Sequence, residues 1–371
     1  MKTMRNLFLL CAGLSLFACS SDDDATQQFP EGKGAITIKV TLPETRSAVS
    51  PTDVDSEEDK VSLEGTIYVE LTAATGGGIK EVDQNGVATF YGITEPSKVE
   101  AYVNGGKYVY TNKPAINLSY STDPDFNTNG GNTTYDAYNM QAEASGVPAY
   151  GFVTVTEADK TNNSELYDGT SYQMYEAAVT MEILVARIEY PVNYNFEDSK
   201  FDELIFQGAY LDNIKATPDA TKTDYRHEND VDTEYKTTAT GDAAILYDYP
   251  ISEISFVTNA TGVLPEADKV YAYNIYPNTT IPYFKLWFNG AESSSDYVVP
   301  YQYAVVNSYN SGTLTELGAG VIYKVNQLTL TENNLATAED GTNGDIKFGI
   351  DVTVTEAQWS VDLIDGSWSQ N

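Results

Sequence analysis

The chain has 371 residues, of which 54 are acidic and 21 basic, giving a formal net charge of −33. A surface this negative repels phosphate backbones and excludes DNA or RNA as a partner. The 28 Tyr and 13 Phe, with many Val, Ile and Thr, set it apart from charged disordered chains and predict a folded, strand-rich protein of about two domains.

The first residues read as an export signal. Lys2 and Arg5 supply the charge and Leu7 to Phe17 the short apolar core. Leu16-Phe17-Ala18-Cys19 resembles the box cut by the lipoprotein signal peptidase. The apolar run is too short to remain as a membrane-spanning helix, and Asp22-Asp23-Asp24 follows closely. Residues 1–18 are therefore expected to be removed, leaving a lipidated Cys19 and a precursor held at the outer membrane. Cys11 leaves with the signal and Cys19 is blocked, so no disulfide is expected.

Residues 19–34 are polar and aperiodic, a tether. The first strand follows, with Ile36, Ile38, Val40 and Leu42 alternating with Thr37, Lys39 and Thr41. Pro43 to Ser47 breaks the alternation, and the acidic stretch from Ser47 to Ser62 reads as an exposed loop. Thr66 to Leu71 predicts a strand closed by a Gly76-Gly77-Gly78 turn. Ala101-Tyr102-Val103 and Lys107 to Tyr110 predict a hairpin about Asn104-Gly105-Gly106. Residues 119–146 read as a long surface loop.

Within that loop, Asp123, Asp125, Asn127 and Asn129 are spaced like calcium ligands. Thr128 and Thr134 stand where an EF-hand requires Gly and Glu, so a solvated turn is preferred and no metal site is assigned. The apolar segment Glu176 to Val192 predicts a long strand or strand pair, and a domain boundary is placed at residue 193. Further strands are expected at 204–211, 270–277, 283–288, 301–306 and 322–330. The chain closes on two alternating runs, Phe348 to Val354 and then Trp359, Val361 and Leu363, followed by Trp368. The expected organisation is all-β: two β-sandwich domains of transthyretin-like or Greek-key type in tandem, over 35–193 and 194–371.

The catalytic inventory is thin. The one histidine, His227, sits in a charged run, and no Gly-x-Ser-x-Gly elbow is present. No enzymatic activity, catalytic residue, cofactor or metal is expected. An alternative reading is a lipid-anchored glycan-binding module that uses Tyr and Trp as stacking platforms.

In order and spacing, several features together resemble the fimbrillins, the type V pilus subunits of Gram-negative gut and oral anaerobes, and among them the major stalk subunits of short fimbriae. These features are the lipoprotein signal with its acidic run, and the first strand followed by Arg46. They also include Leu184-Val185-Ala186-Arg187-Ile188, Phe206 to Asn213, Tyr273 to Asn278, and the Trp-bearing C-terminal strand. The resemblance implies a structural, adhesive role. It implies cleavage between Arg46 and Ser47 by an Arg-specific or trypsin-like protease, and loss of the first strand (35–46: Ile36, Ile38, Val40, Leu42). It implies refilling of the vacated groove by a donor strand near 358–368 (Trp359, Val361, Leu363, Trp368) of another copy. Partners would be further copies and fimbrial anchor or tip subunits. A non-polymerising anchor or tip role is the alternative within the family.

Overall fold

The computed structural model describes residues 33–41, 60–113, 146–196, 203–220, 238–240, 243–248, 254–257, 260–264, 270–291, 298–326, 328–337 and 349–360. The fold is all-β, with one α-helix among the described residues. The first half contains β1 (Gly34–Thr41), β2 (Lys60–Ser62), β3 (Tyr68–Thr75), β4 (Gly78–Glu81) and β5 (Val87–Val103). The helix α1 (Gly106–Asn112) follows, then β6 (Ala149–Thr154), β7 (Lys160–Tyr167), β8 (Thr170–Thr180) and β9 (Glu182–Ile183).

These strands, apart from β2, form one eight-stranded sheet with the order β4-β3-β5-β1-β8-β7, in which β6 joins β5 to β9. The sheet folds over because β5 serves two neighbourhoods. Its residues 87–93 pair with β1, whereas its residues 98–103 lie between β3 and β6. The change falls at Glu95, whose φ of 45° precedes Pro96, a residue that cannot donate to a ladder. The two parts enclose a core of Ile36, Ile38, Val69, Phe90, Val99 and Val179, all almost inaccessible to solvent.

The second half begins with β10 (Ala186–Tyr190), β11 (Val192–Asn195), β12 (Glu203–Lys215), β13 (Thr238–Thr240) and β14 (Ala243–Asp248). It continues through β15 (Ile254–Val257), β16 (Thr261–Leu264), β17 (Tyr271–Ile275), β18 (Tyr283–Ala291) and β19 (Val298–Tyr309). It closes with β20 (Val321–Val325), β21 (Leu328–Leu330), β22 (Ala336–Thr337), β23 (Gly349–Val352) and β24 (Val354–Ser360). One sheet has the order β17-β10-β20-β24-β2, a three-stranded sheet runs β16-β11-β21, and a larger one is built on β14-β12-β18-β19. Their core is aromatic. Tyr190 stacks on Phe284 at 4.0 Å, and its hydroxyl meets that of Tyr309 at 2.6 Å. Sheet membership changes between Ile183 and Ala186, upstream of residue 193.

Two local expectations are corrected. Lys107 to Tyr110 is not the second strand of a hairpin but the body of α1. Asn104 (φ 50°) and Gly105 (φ 73°) turn the chain, and the helix is then held by tertiary contacts. Val109 is buried and belongs to the second core, and Gly106 lies so close to β6 that an added Cβ would sit 1.9 Å from the Ala149 carbonyl oxygen. Lys107 donates to both Glu70 and Glu100. The second correction is that the acidic segment after Ser47 does not remain a loop throughout, because Lys60–Ser62 is a strand.

Candidate functional site

The first strand occupies the middle of its sheet. β1 runs antiparallel to β5, with Ile36 opposite Phe90 and Ile38 opposite Ala88. It runs parallel to β8 over all eight residues, from Gly34 opposite Gln173 to Thr41 opposite Thr180. Both backbone edges are therefore occupied. The ends are fixed by the Val40 amide donating to Gly86 O (2.8 Å), the Met181 amide donating to Thr41 O (2.8 Å) and the Gln173 amide donating to Lys33 O (3.2 Å).

The period-two pattern decides which face is dry. Ile36 and Ile38 have no accessible surface and Val40 only 2 %. On the other face Lys39 is exposed, while Thr37 and Thr41 meet Thr89 and Thr180 through their hydroxyls at 3.4 and 3.3 Å. Gly34 faces inward, and a Cβ there would lie 3.1 Å from the Tyr175 ring. Taking β1 away would leave an apolar slot one strand wide, bounded by the unpaired edges of β5 and β8. Such a slot has the chemistry to accept another strand.

Of the residues singled out in the sequence, Ile36, Ile38 and Val40 come together in this slot. Leu42, Cys19, Arg46, Ser47, Val361, Leu363 and Trp368 lie outside the described residues, as do His227 and the 123–132 segment. Trp359 belongs to β24 by its backbone. There Gln358–Ser360 pair in parallel with Lys60–Ser62, and Val321 to Val325 pair antiparallel with Gln358 back to Val354. The strand that follows the expected cleavage point thus lies beside the last described strand. Neither strand propensity nor spacing announces that pairing. No group of three or more His, Cys, Asp or Glu side chains is placed to hold a metal among the described residues.

A polar cluster pins α1 to the first sheet. Glu100, 7 % exposed, accepts from the Tyr150 hydroxyl (2.6 Å), Lys98 Nζ (2.9 Å) and Lys107 Nζ (3.2 Å). Burial pushes its carboxyl up, but the hydrogen bonds from Tyr150, Lys98 and Lys107 outweigh this and hold it below the usual carboxylate value. Burial, and next the same contact with Glu100, drive the Tyr150 phenol well above its ordinary value. Every member of the cluster has a partner, so the network ties α1 to β3, β5 and β6.

No known protein-family model matches the chain, and no curated protein does either. Solved structures do match along most of its length. A candidate cell adhesion protein of Bacteroides eggerthii is 15 % identical, with 90 % of this chain and 98 % of that one covered, at a TM-score of 0.46. One from Parabacteroides distasonis is 10 % identical, covering 89 % and 98 %, at 0.45. The tip fimbrial protein Mfa3 of Porphyromonas gingivalis, in a form with a C-terminal truncation, is 10 % identical, covering 88 % and 100 %, at 0.29.

Proposed function

We propose that the chain is a non-catalytic structural subunit of a surface fimbria, a stalk subunit, that polymerises by exchanging β1 for a strand of another copy. On this reading it is exported as a lipoprotein acylated at Cys19, held at the outer membrane, and cleaved between Arg46 and Ser47 by an Arg-specific protease. The lipid and β1 then leave together, and the C-terminal residues of a neighbouring copy enter the slot. Donor and slot are different surfaces, so the contact is head-to-tail and propagates. The filament would serve adhesion.

The observation that carries this reading is the position of β1, a central strand with one dry face, joined to the remaining chain only through the segment that contains Arg46. Charge does not drive the switch, since residues 19–46 carry five acids and three bases. Exposure of the slot does. Fully extended, residues 361–371 reach about 36 Å against about 27 Å for a strand of β1's length, so a donor beginning after β24 is long enough.

The pairing of β24 with β20 over Val354 to Gln358, and with β2 over Gln358 to Ser360, supports a second reading, in which the C-terminus stays in its own sheet and the chain caps a fimbria as a tip subunit. The N-terminal residue of the protein on the cell surface tests the first step. Ser47 is expected, and an acylated Cys19 on mature, assembled material refutes strand release. Size laddering of the Ser47 form then separates stalk from tip.

A further inference from the structure

Outward-facing positions on β1 are wetted except one. Ala35 has no accessible surface, although it points away from the apolar core, on the same face as the exposed Lys39. Its cross-strand partner on β5 is Tyr91, and directly paired residues share a face. On the other side of β1, Ala35 is level with Met174 of β8, two residues beyond Tyr172.

The rings meet across the strand. Tyr91 and Tyr172 belong to the strands on either side of β1, which neighbouring-strand spacing separates by about 10 Å, yet their ring centroids are 5.4 Å apart. Tyr91 also stacks on Tyr167 of β7 at 3.9 Å and 8°, and its hydroxyl donates to Glu165 Oε1 at 2.8 Å. β5 and the β7–β8 hairpin are thus joined by side chains over the outer face of β1, at the one point where β1 offers a methyl group.

We infer that Tyr91, Tyr172 and Tyr167 form a clasp that makes position 35 a size filter, so that any strand filling the slot must carry Ala, Ser or Gly opposite Tyr91. Apart from the tight position at Gly34, the inner face selects for apolar side chains at every second position, a pattern that many strands satisfy in more than one register. The clasp breaks that degeneracy, because sliding the occupant by two residues would bring a Thr- or Lys-sized side chain under the rings. The selectivity for an incoming strand rests on the strand-release reading above; the clasp over β1 itself does not.

Two measurements separate the parts. In the full-length, uncleaved protein, Ala35→Leu is expected to lower the urea midpoint well below that of Thr37→Leu, the next outward position. Combining it with Tyr91→Ala, or with Tyr167→Ala should the first fail to fold, restores the midpoint. Equal shifts for the two leucine variants, or no rescue by either alanine, overturn the clasp. In the second, the full chain, with Arg226 beside His227 changed to Lys (Arg226→Lys) so that an Arg-specific protease spares that position, is cleaved after Arg46 and freed of its first strand in urea. It is then offered labelled synthetic peptides of residues 33–42. The natural peptide is expected to bind at least tenfold more tightly than the Ala35→Leu peptide, and the gap to close on Tyr91→Ala protein. Equal binding overturns the filter. Capture of neither peptide overturns strand release and the selectivity with it, while the urea series still decides the clasp.

Discussion

Ile38→Ala offers a sharp test, because the residue belongs to a strand that the proposed assembly discards. Ile38 has no accessible surface and sits between Ala88 and Ala177 of the flanking strands, two side chains too small to close the gap it would leave. Removing buried methyl and methylene groups from such a site costs about 2–5 kcal/mol, and poor collapse between alanines argues for about 3 kcal/mol or more. At roughly 2–4 °C per kcal/mol for a body of this size, the first unfolding transition of the uncleaved precursor drops by about 6–12 °C. Lys39→Ala, one residue along on the wet face, moves it by less than about 2 °C. Calorimetry of the uncleaved protein and of the assembled polymer supplies the comparison. Polymer made from the Ile38→Ala precursor is expected to melt like wild type, since its slot holds a strand from a different part of a different copy. A polymer carrying the full destabilisation would refute the exchange, for it would show β1 still in place. An unshifted precursor would refute the assignment of β1 to the core.

Deleting residues 361–371 leaves β24 and its pairing with β20 intact, so the expected product is a secreted, folded monomer without polymer; a ladder of multimers in native-state electrophoresis would remove that segment from the donor role. Tyr309→Phe is expected to cost about 2–3 kcal/mol and Tyr190→Phe about 1 kcal/mol in urea unfolding. The reason is that Tyr309 both meets Tyr190 and donates to Pro282 O at 3.0 Å, whereas Tyr190 takes part in only the first of these bonds. Glu100 has a folded pKa below its ordinary 4.5, so its contribution is fully present above that value and is lost as pH falls through the lower, folded pKa. Glu100→Gln is therefore expected to be less stable at neutral pH yet to show a shallower loss of stability below pH ~4.5, measured by unfolding at a series of pH values.

What was readable in the sequence followed from local alternation. Ile36, Ile38 and Val40 announce a half-dry strand because period two is a property of neighbouring residues, and Gly76 to Gly78 announces a turn because glycine tolerates the positive φ found there. The strands at 204–211, 271–275 and 283–288 were legible for the same reason. Lys107 to Tyr110 was not: its Tyr-Val-Tyr text favours a strand, and it is helical because Val109 finds the second core and Lys107 finds Glu70 and Glu100, contacts made by residues far away in sequence. The parallel register of β1 on β8, the pairing of β2 with β24 and the ring clasp over Ala35 were equally silent. Each depends on which strands the fold brings together, and an outward alanine is unremarked until tyrosines from two other strands cover it.

The distance along the chain between β1 and its parallel partner has a kinetic consequence. Thr41 lies beside Thr180, 139 positions later, and the other wall of the slot is β5. The slot therefore comes into being only after the chain has folded as far as residue 180, and β1 must wait, unpaired, until then. Closing so long a loop is slow, but once it is possible the waiting strand is present at an effective concentration of about millimolar, set by its own tether. A strand from another molecule at cellular concentrations competes poorly against that. On the proposed strand-exchange reading, the covalent link through residues 42–59 would thus act as a clock on association: while it is intact, self-pairing is favoured, and hydrolysis of one peptide bond would turn an intramolecular contest into one that a neighbour can win.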